Sequence, residues 1–208
     1  MKIEAEILRG TSAAVLFIAY FALWKFRRKA LMENEGFDPE VLEKDERPSQ
    51  RLFASVSNVM TVVLVGLLVF HSLGIKNIPG FYYFYELRDI ITVIIGLFMG
   101  CFGLSICLLA QKTMGVAWRV GIDKEAETNL VDNGIFSYCR NPTYSGLFLV
   151  CISTLFIFPT MLFLIWAVSF LLLIEFQVRL EEEYLFEKHG EAYCNYYKKV
   201  KRYIPWVF

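Results

Sequence analysis

The chain has 208 residues, 56% of them hydrophobic and 20% charged, with 21 basic and 21 acidic side chains and a mean hydropathy of +0.46. That is too apolar for an ordinary water-soluble domain, and the balanced charge offers no electrostatic footprint for nucleic acid. The apolar residues fall in blocks long enough to cross a bilayer. The expected class is therefore all-α: a polytopic integral membrane protein of about five transmembrane helices with a cytoplasmic helical extension at the C-terminus.

The first block, 10–26, is short enough to suggest a secretory leader. Glu4 and Glu6 offset Lys2 and Arg9 ahead of it, and Lys25-Phe26-Arg27-Arg28-Lys29 stands where a cleavage site would, so it is read as a retained span. Blocks 52–73 and 90–110 are apolar all round, with Gly66, Gly96, Gly100 and Gly103 where backbones can approach closely. Gly96 and Gly100 form a GxxxG, read as an intramolecular contact with a homodimer face as the alternative. Residues 1–110 are expected to be a packing scaffold, and 32–50 a solvated loop without recognisable chemistry. Ile78-Pro79-Gly80 is a turn signal, and the five aromatics Phe81 to Tyr85 suit a membrane-interface belt.

The second half, 111–208, is the expected catalytic region. The polar connector 111–143 contains Asp132-Asn133-Gly134, a turn that folds it back on the membrane surface. Blocks 144–158 and 159–176 form a hairpin that meets at Phe158-Pro159-Thr160. Past Phe176 the chain keeps high helix propensity to Gly190, a C-cap, so the last span projects into the cytoplasm. A short helix over 191–199 follows, and Pro205 ends the pattern.

Charge sets sidedness. Seven Lys and Arg lie between Lys25 and Arg51, four between Gln111 and Arg140 and six after Phe176, against two ahead of the first span and two between spans two and three. The N-terminus is then outside, and the connector and C-terminus are cytoplasmic. Of five cysteines, Cys101, Cys107 and Cys151 lie inside spans, while Cys139 and Cys194 face the cytoplasm; no CxxC pair or zinc spacing occurs. With only His71 and His189, there is no nucleophile-histidine set, Walker loop or GxGxxG. What remains is a reaction that needs positioning more than acid–base groups.

Two features can supply it. Asn141 is a favoured N-cap and Pro142 a favoured first helical residue, which leaves the amides of Thr143 and Tyr144 at the positive end of a membrane helix, ready for a carboxylate or phosphate. Downstream, Gln177 and Glu181 are i,i+4, and Arg179 stands i,i+3 and i,i+4 to Glu182 and Glu183. Glu175 ends an apolar span, where a charge is costly unless it faces a polar cavity; a carboxylate there suits a ribose hydroxyl or an ammonium.

The run Leu130-Val131-x-x-Gly134-Ile135-Phe136-x-x-x-Arg140-Asn141-Pro142-x-Tyr144-x-Gly146 resembles the signature of the isoprenylcysteine carboxyl methyltransferase family. So does Glu181-Glu182-x-x-Leu185-x-x-x-x-Gly190-x-x-Tyr193-x-x-Tyr196, closing with Arg202-x-x-Pro205. These are integral membrane enzymes that use S-adenosylmethionine, and phospholipid N-methyltransferases are relatives. The resemblance covers about the last 95 residues. It implies cofactor binding by Asn129, Leu130, Val131, Phe136, Asn141, Pro142, Thr143, Tyr144 and Glu181, catalytic roles for Arg179 and Glu182, and acceptor contacts from Gln177 and Arg179. It implies no metal, and a lipophilic or lipid-modified acceptor: a prenylcysteine-like carboxylate or another small amphiphile, with a lipid amine as the alternative. The chain departs from the family twice. Asn141 stands where eukaryotic members have His, and Gln177 where prenylcysteine-methylating members have an arginine that orients the acceptor carboxylate. A rival of another class is a non-catalytic membrane scaffold that keeps the fold. A transporter fits poorly, because no internal repeat or matched broken segments appear.

Overall fold

The computed structural model describes residues 2–42, 45–73, 82–87, 89–124 and 128–206. Among the described residues the regular elements are all helical, in the order α1 (Lys2–Glu35), α2 (Pro48–Ser72), α3 (Ile90–Met114), α4 (Pro142–Ile157), α5 (Met161–His189) and α6 (Glu191–Lys199). Among the described residues four helices are long and apolar enough to cross a bilayer, and Pro142–Ile157 is a shorter apolar one. Five apolar helices were expected; the difference is that α4, 16 residues, rises only about 24 Å, less than a typical hydrocarbon core. The expected turn at 78–80 and Phe81 of the aromatic belt lie outside the described residues.

The outer faces of these helices carry Val59, Val62, Ile94, Phe98 and Leu172 unburied, as helices turned toward lipid require. Inside, α3 and α4 pack backbone to backbone. A Cβ on Gly103 would fall 2.5 Å from Gly146 O, and one on Gly146 2.5 Å from Gly103 O. Gly96 meets the Ser153 carbonyl of α4 and Gly100 meets Leu16 of α1, so the GxxxG face is spent inside the molecule. The α4–α5 hairpin turns at Phe158, Pro159 and Thr160, where the Thr160 hydroxyl accepts from Phe163 N and caps α5. Both Phe158 and Thr160 are fully enclosed.

Two expectations change. α1 does not stop at the basic cluster but continues to Glu35, because Lys25–Lys29 adds no breaker and the first one is Gly36 at φ 74°. The loop that follows is not merely solvated. Val41 N and Leu42 N donate to Val120 O at 3.1 and 3.0 Å, Val120 N donates to Pro39 O at 2.9 Å, and Arg47 reaches Ile122 O at 2.9 Å. Arg47 in turn hydrogen-bonds Asp45 and holds its carboxyl below the usual range. The α1–α2 loop is thereby laced to the connector before α4.

Candidate active site

The site is organised by the entry into α4. Arg140 N donates to Lys201 O at 2.8 Å and Asn141 N to Arg202 O at 3.0 Å, so the tail after α6 pairs with the residues before α4 as a two-residue ladder. Ser145 Oγ adds a bond to Tyr203 O at 2.9 Å. Beneath this strap lies Glu182, 4% exposed. Its Oε1 accepts from Arg140 Nε and Asn141 Nδ2, both at 3.1 Å, and its Oε2 from Arg202 at 2.6 Å. Arg140 also donates to the carbonyls of Tyr197 and Val200 and lies over the Tyr197 ring. One carboxylate thus joins α5, the start of α4 and the C-terminal strap.

Glu181, one residue earlier, faces the other way. Its Oε1 accepts from the Tyr144 hydroxyl at 2.5 Å and from Gln177 Nε2 at 3.0 Å. It lines two adjoining cavities. The first holds about 830 Å³ of empty space including its mouth, walled by the connector residues Asn129, Leu130, Val131 and Phe136 and by Tyr184, Leu185, Tyr193 and Tyr196. The Tyr196 hydroxyl, whose ionisation burial pushes up, donates to Phe136 O at 2.7 Å and fixes that wall. The second cavity runs past Asn141, Pro142, Thr143, Tyr144 and Gln177 toward Phe53, Leu147, Phe170 and Ile174. Phe136, Arg140, Glu181 and Leu185 belong to both walls. A third, apolar cavity continues from Tyr20, Leu147 and Phe170 to Leu64 and Trp166, between α1, α2, α4 and α5.

The structure therefore brings Asn129, Leu130, Val131, Phe136, Asn141 to Tyr144, Gln177 and Glu181 around one continuous space. Several expectations need correction. Asn141 does not cap α4 through its side chain, which is committed to Glu182; the backbone turns at φ −123° and Asn141 O accepts from Ser145 N. Glu182, expected to be catalytic, has both oxygens bonded within the protein and lines none of the three cavities. Arg179, expected to be catalytic and to touch the acceptor, has a 64% exposed side chain paired with Glu175 at 2.8 Å and faces away from the cavities. Glu175 is bound by Arg202, Arg179 and the Tyr203 hydroxyl instead of a cavity. Residues 1–110 do more than pack: Tyr20, Trp24, Leu42, Phe53 and Ser57 line the second cavity, and Gln50 backs Gln177. The one local signal for the last was a polar residue at the end of an apolar span.

A family model described as phospholipid methyltransferase matches residues 91–192, from the start of α3 into α6. The protein-S-isoprenylcysteine O-methyltransferase of Saccharomyces cerevisiae is 29% identical over 128 residues, 59% of this chain and 53% of that protein. The protein of the same name from Dictyostelium discoideum is 30% identical over 132 residues, 61% of this chain and 54% of that one. The chain thus spans about half the length of these curated relatives. A solved structure of the eukaryotic intramembrane Ras methyltransferase ICMT superposes with a TM-score of 0.50 at 20% identity, over 94% of this chain and 68% of that one, a likeness of fold. The chain is an integral membrane protein similar, from α3 into α6, to the phospholipid methyltransferases and, over about 60% of its length, to the protein-S-isoprenylcysteine O-methyltransferases.

Proposed function

We propose that the chain transfers a methyl group from S-adenosylmethionine to a lipophilic acceptor at the cytoplasmic face of the membrane. The observation that carries this reading is the continuity of the three cavities: an opening among connector and cytoplasmic helix residues, a middle bounded by Glu181 and the α4 entry, and an apolar end inside the bundle. The residues present suit that cofactor. Leu130, Val131, Phe136 and Tyr193 give an apolar and aromatic wall for the purine, Glu181 an acceptor for hydroxyls or an ammonium, and the amides opening α4 a place for the carboxylate. The apolar tail of an acceptor fits toward Leu147, Phe170 and Trp166.

The cofactor supplies an activated methyl group, and the protein's work is alignment and exclusion of water. Holding donor and acceptor in line removes most of the entropy cost of a bimolecular step. Phe53, Leu147, Phe170 and Ile174 keep the junction dry. Asn141 is fixed by Glu182 and Tyr144 by Glu181, so the α4 entry is preorganised. The basic loops and tail set the N-terminus outside and this site in the cytoplasm.

The test is transfer of isotopic methyl from S-adenosylmethionine into the organic phase by protein reconstituted in nanodiscs, with prenylcysteine and amine-bearing lipids offered separately. Label in extractable lipid is expected; folded protein that labels nothing sides with the scaffold reading. Arg179→Ala is expected to leave affinity for S-adenosylhomocysteine within about twofold, because an exposed ion pair contributes little. A tenfold loss would return Arg179 to the site.

A further inference from the structure

We infer that the C-terminal strap is a docking surface for anionic lipid headgroups, and that the leaflet it grips fastens the entry of α4. The link to the cofactor rests on the function proposed above; the surface itself does not. The strap runs in the same direction as α4, because residues 140 and 141 pair with 201 and 202 and Ser145 then bonds Tyr203. Tyr203 continues inward. Its ring lies 4.8 Å from that of Phe148, about 9 Å along α4, and its hydroxyl donates to Glu175 of α5. Glu175 is flanked on α5 by Leu172 and Phe176, both exposed on the apolar outside of the bundle. The tail therefore lies at the depth of the first turns of a membrane helix.

At that depth it stops burying apolar groups. Ile204 is 55% exposed and Trp206 83% exposed. Pro205 and Trp206 reverse the chain, with Trp206 at φ 63°, a conformation that large side chains rarely adopt. The turn brings the indole back to Tyr138, itself 58% exposed, with ring centroids 6.4 Å apart and edge to face. Trp and Tyr are the side chains that favour the boundary between headgroups and acyl chains.

Charge identifies the occupant. From Glu191 to Trp206 the chain carries Lys198, Lys199, Lys201 and Arg202 against the single acid Glu191. Arg202 is committed to Glu175 and Glu182. The three lysines are exposed and, among the described residues, make no ion pair. Two copies of the chain facing each other through this patch would bring like charges together. A zwitterionic leaflet satisfies the rings alone. An anionic one also meets the ammonium groups, each worth about fivefold in binding near the surface.

The surface is coupled to the site by the bonds already described. The strap gives the carbonyls of Lys201, Arg202 and Tyr203 to Arg140, Asn141 and Ser145, and the Arg202 guanidinium to Glu182. A strap held on the leaflet keeps these bonds made, and one that lifts away releases the support of Asn141. Anionic lipid and cofactor thus favour the same arrangement, and each strengthens binding of the other.

The test places the full chain in nanodiscs of phosphatidylcholine alone or mixed with phosphatidylglycerol. Lipid brominated near the headgroup is expected to quench the Trp206 share of the fluorescence, read as the difference between wild type and Trp206→Phe. Affinity for S-adenosylhomocysteine is expected to be about fivefold or more tighter with phosphatidylglycerol, and high salt to erase the gain. Lys198→Gln, Lys199→Gln and Lys201→Gln combined leave the backbone ladder in place, so this variant is expected to match wild type in phosphatidylcholine and to lose the gain. Glycerol phosphate added to phosphatidylcholine discs is expected not to reproduce it, since a free phosphate brings no leaflet for the rings. An unquenched Trp206, equal affinity in the two lipids, a gain that glycerol phosphate reproduces or one that the triple variant keeps overturns the inference. If S-adenosylhomocysteine binds in neither disc, the methyltransferase reading fails by itself. Thermal stability in the two discs then decides the surface: a rise with phosphatidylglycerol in wild type but not in the triple variant supports it, and equal stability overturns it.

Discussion

Glu182→Ala is expected to destabilise the protein by about 3–5 kcal/mol, the cost of leaving buried charge without its counter-ion. The side chain is 5% exposed, and its partners Arg140 and Arg202 are 6% and 19% exposed. Arg202 keeps Glu175 at 2.9 Å after the change, but Arg140 loses its paired carboxylate and keeps the carbonyls, the Tyr193 hydroxyl and the Tyr197 ring. The damage extends to the site, because Asn141 loses its side-chain partner and the strap loses a bond to α5. Thermal unfolding of detergent-purified protein should order wild type above Glu182→Gln above Glu182→Ala. Glu175→Ala, at a carboxylate 29% exposed, should cost about 1 kcal/mol or less. A Glu182→Ala variant within 1 kcal/mol of wild type would contradict the assignment of this residue as the hub.

The second large effect is expected at Gly146. A side chain there collides with backbone as well as with a neighbouring side chain: Gly103 O at 2.5 Å, Cys107 Sγ at 2.7 Å and Cys107 N at 3.1 Å. Backbone of a packed helix cannot turn aside as a flexible side chain can, so Gly146→Val must push α3 and α4 apart. Overpacking of this kind costs about 1–3 kcal/mol and occasionally more. Because α4 opens with Asn141 to Tyr144, the same displacement should weaken binding of S-adenosylhomocysteine. Gly66 has nothing within 4 Å of its Cβ position, so Gly66→Ala is expected to be neutral or stabilising by up to about 1 kcal/mol through helix propensity. Equal effects at the two glycines would contradict the close α3–α4 contact.

Local chemistry carried much of the second half of the chain. The Asn-Pro start of α4, the unbroken helix through Glu181 and the glycine stop at Gly190, with φ 53°, are short-range signals, and each is present. Arg179 was misplaced against a signal that was available: two residues on a helix are about 200° apart, so it faces Glu175 while Gln177 and Glu181 face the cavity. Pairings between distant segments were not legible. Asn141 reads as a cap until Glu182, 41 positions on, takes its amide, and Glu182 reads as reactive until Arg140 and Arg202 enclose it. The contribution of α1 and α2 was hidden for the same reason, since Tyr20, Trp24 and Phe53 are ordinary span residues until the bundle closes around the cavity.

The central claim is a cofactor site closed by Glu181. The most direct measurement is thermal stability of the folded, detergent-purified protein with and without S-adenosylhomocysteine, in wild type and Glu181→Ala. At about 100 times its dissociation constant, a ligand that binds only the folded state adds about 2.7 kcal/mol. The account predicts a clear upward shift for wild type that is lost in Glu181→Ala, with the variant itself still folded. An unshifted wild type, or a shift that survives in Glu181→Ala, would contradict it.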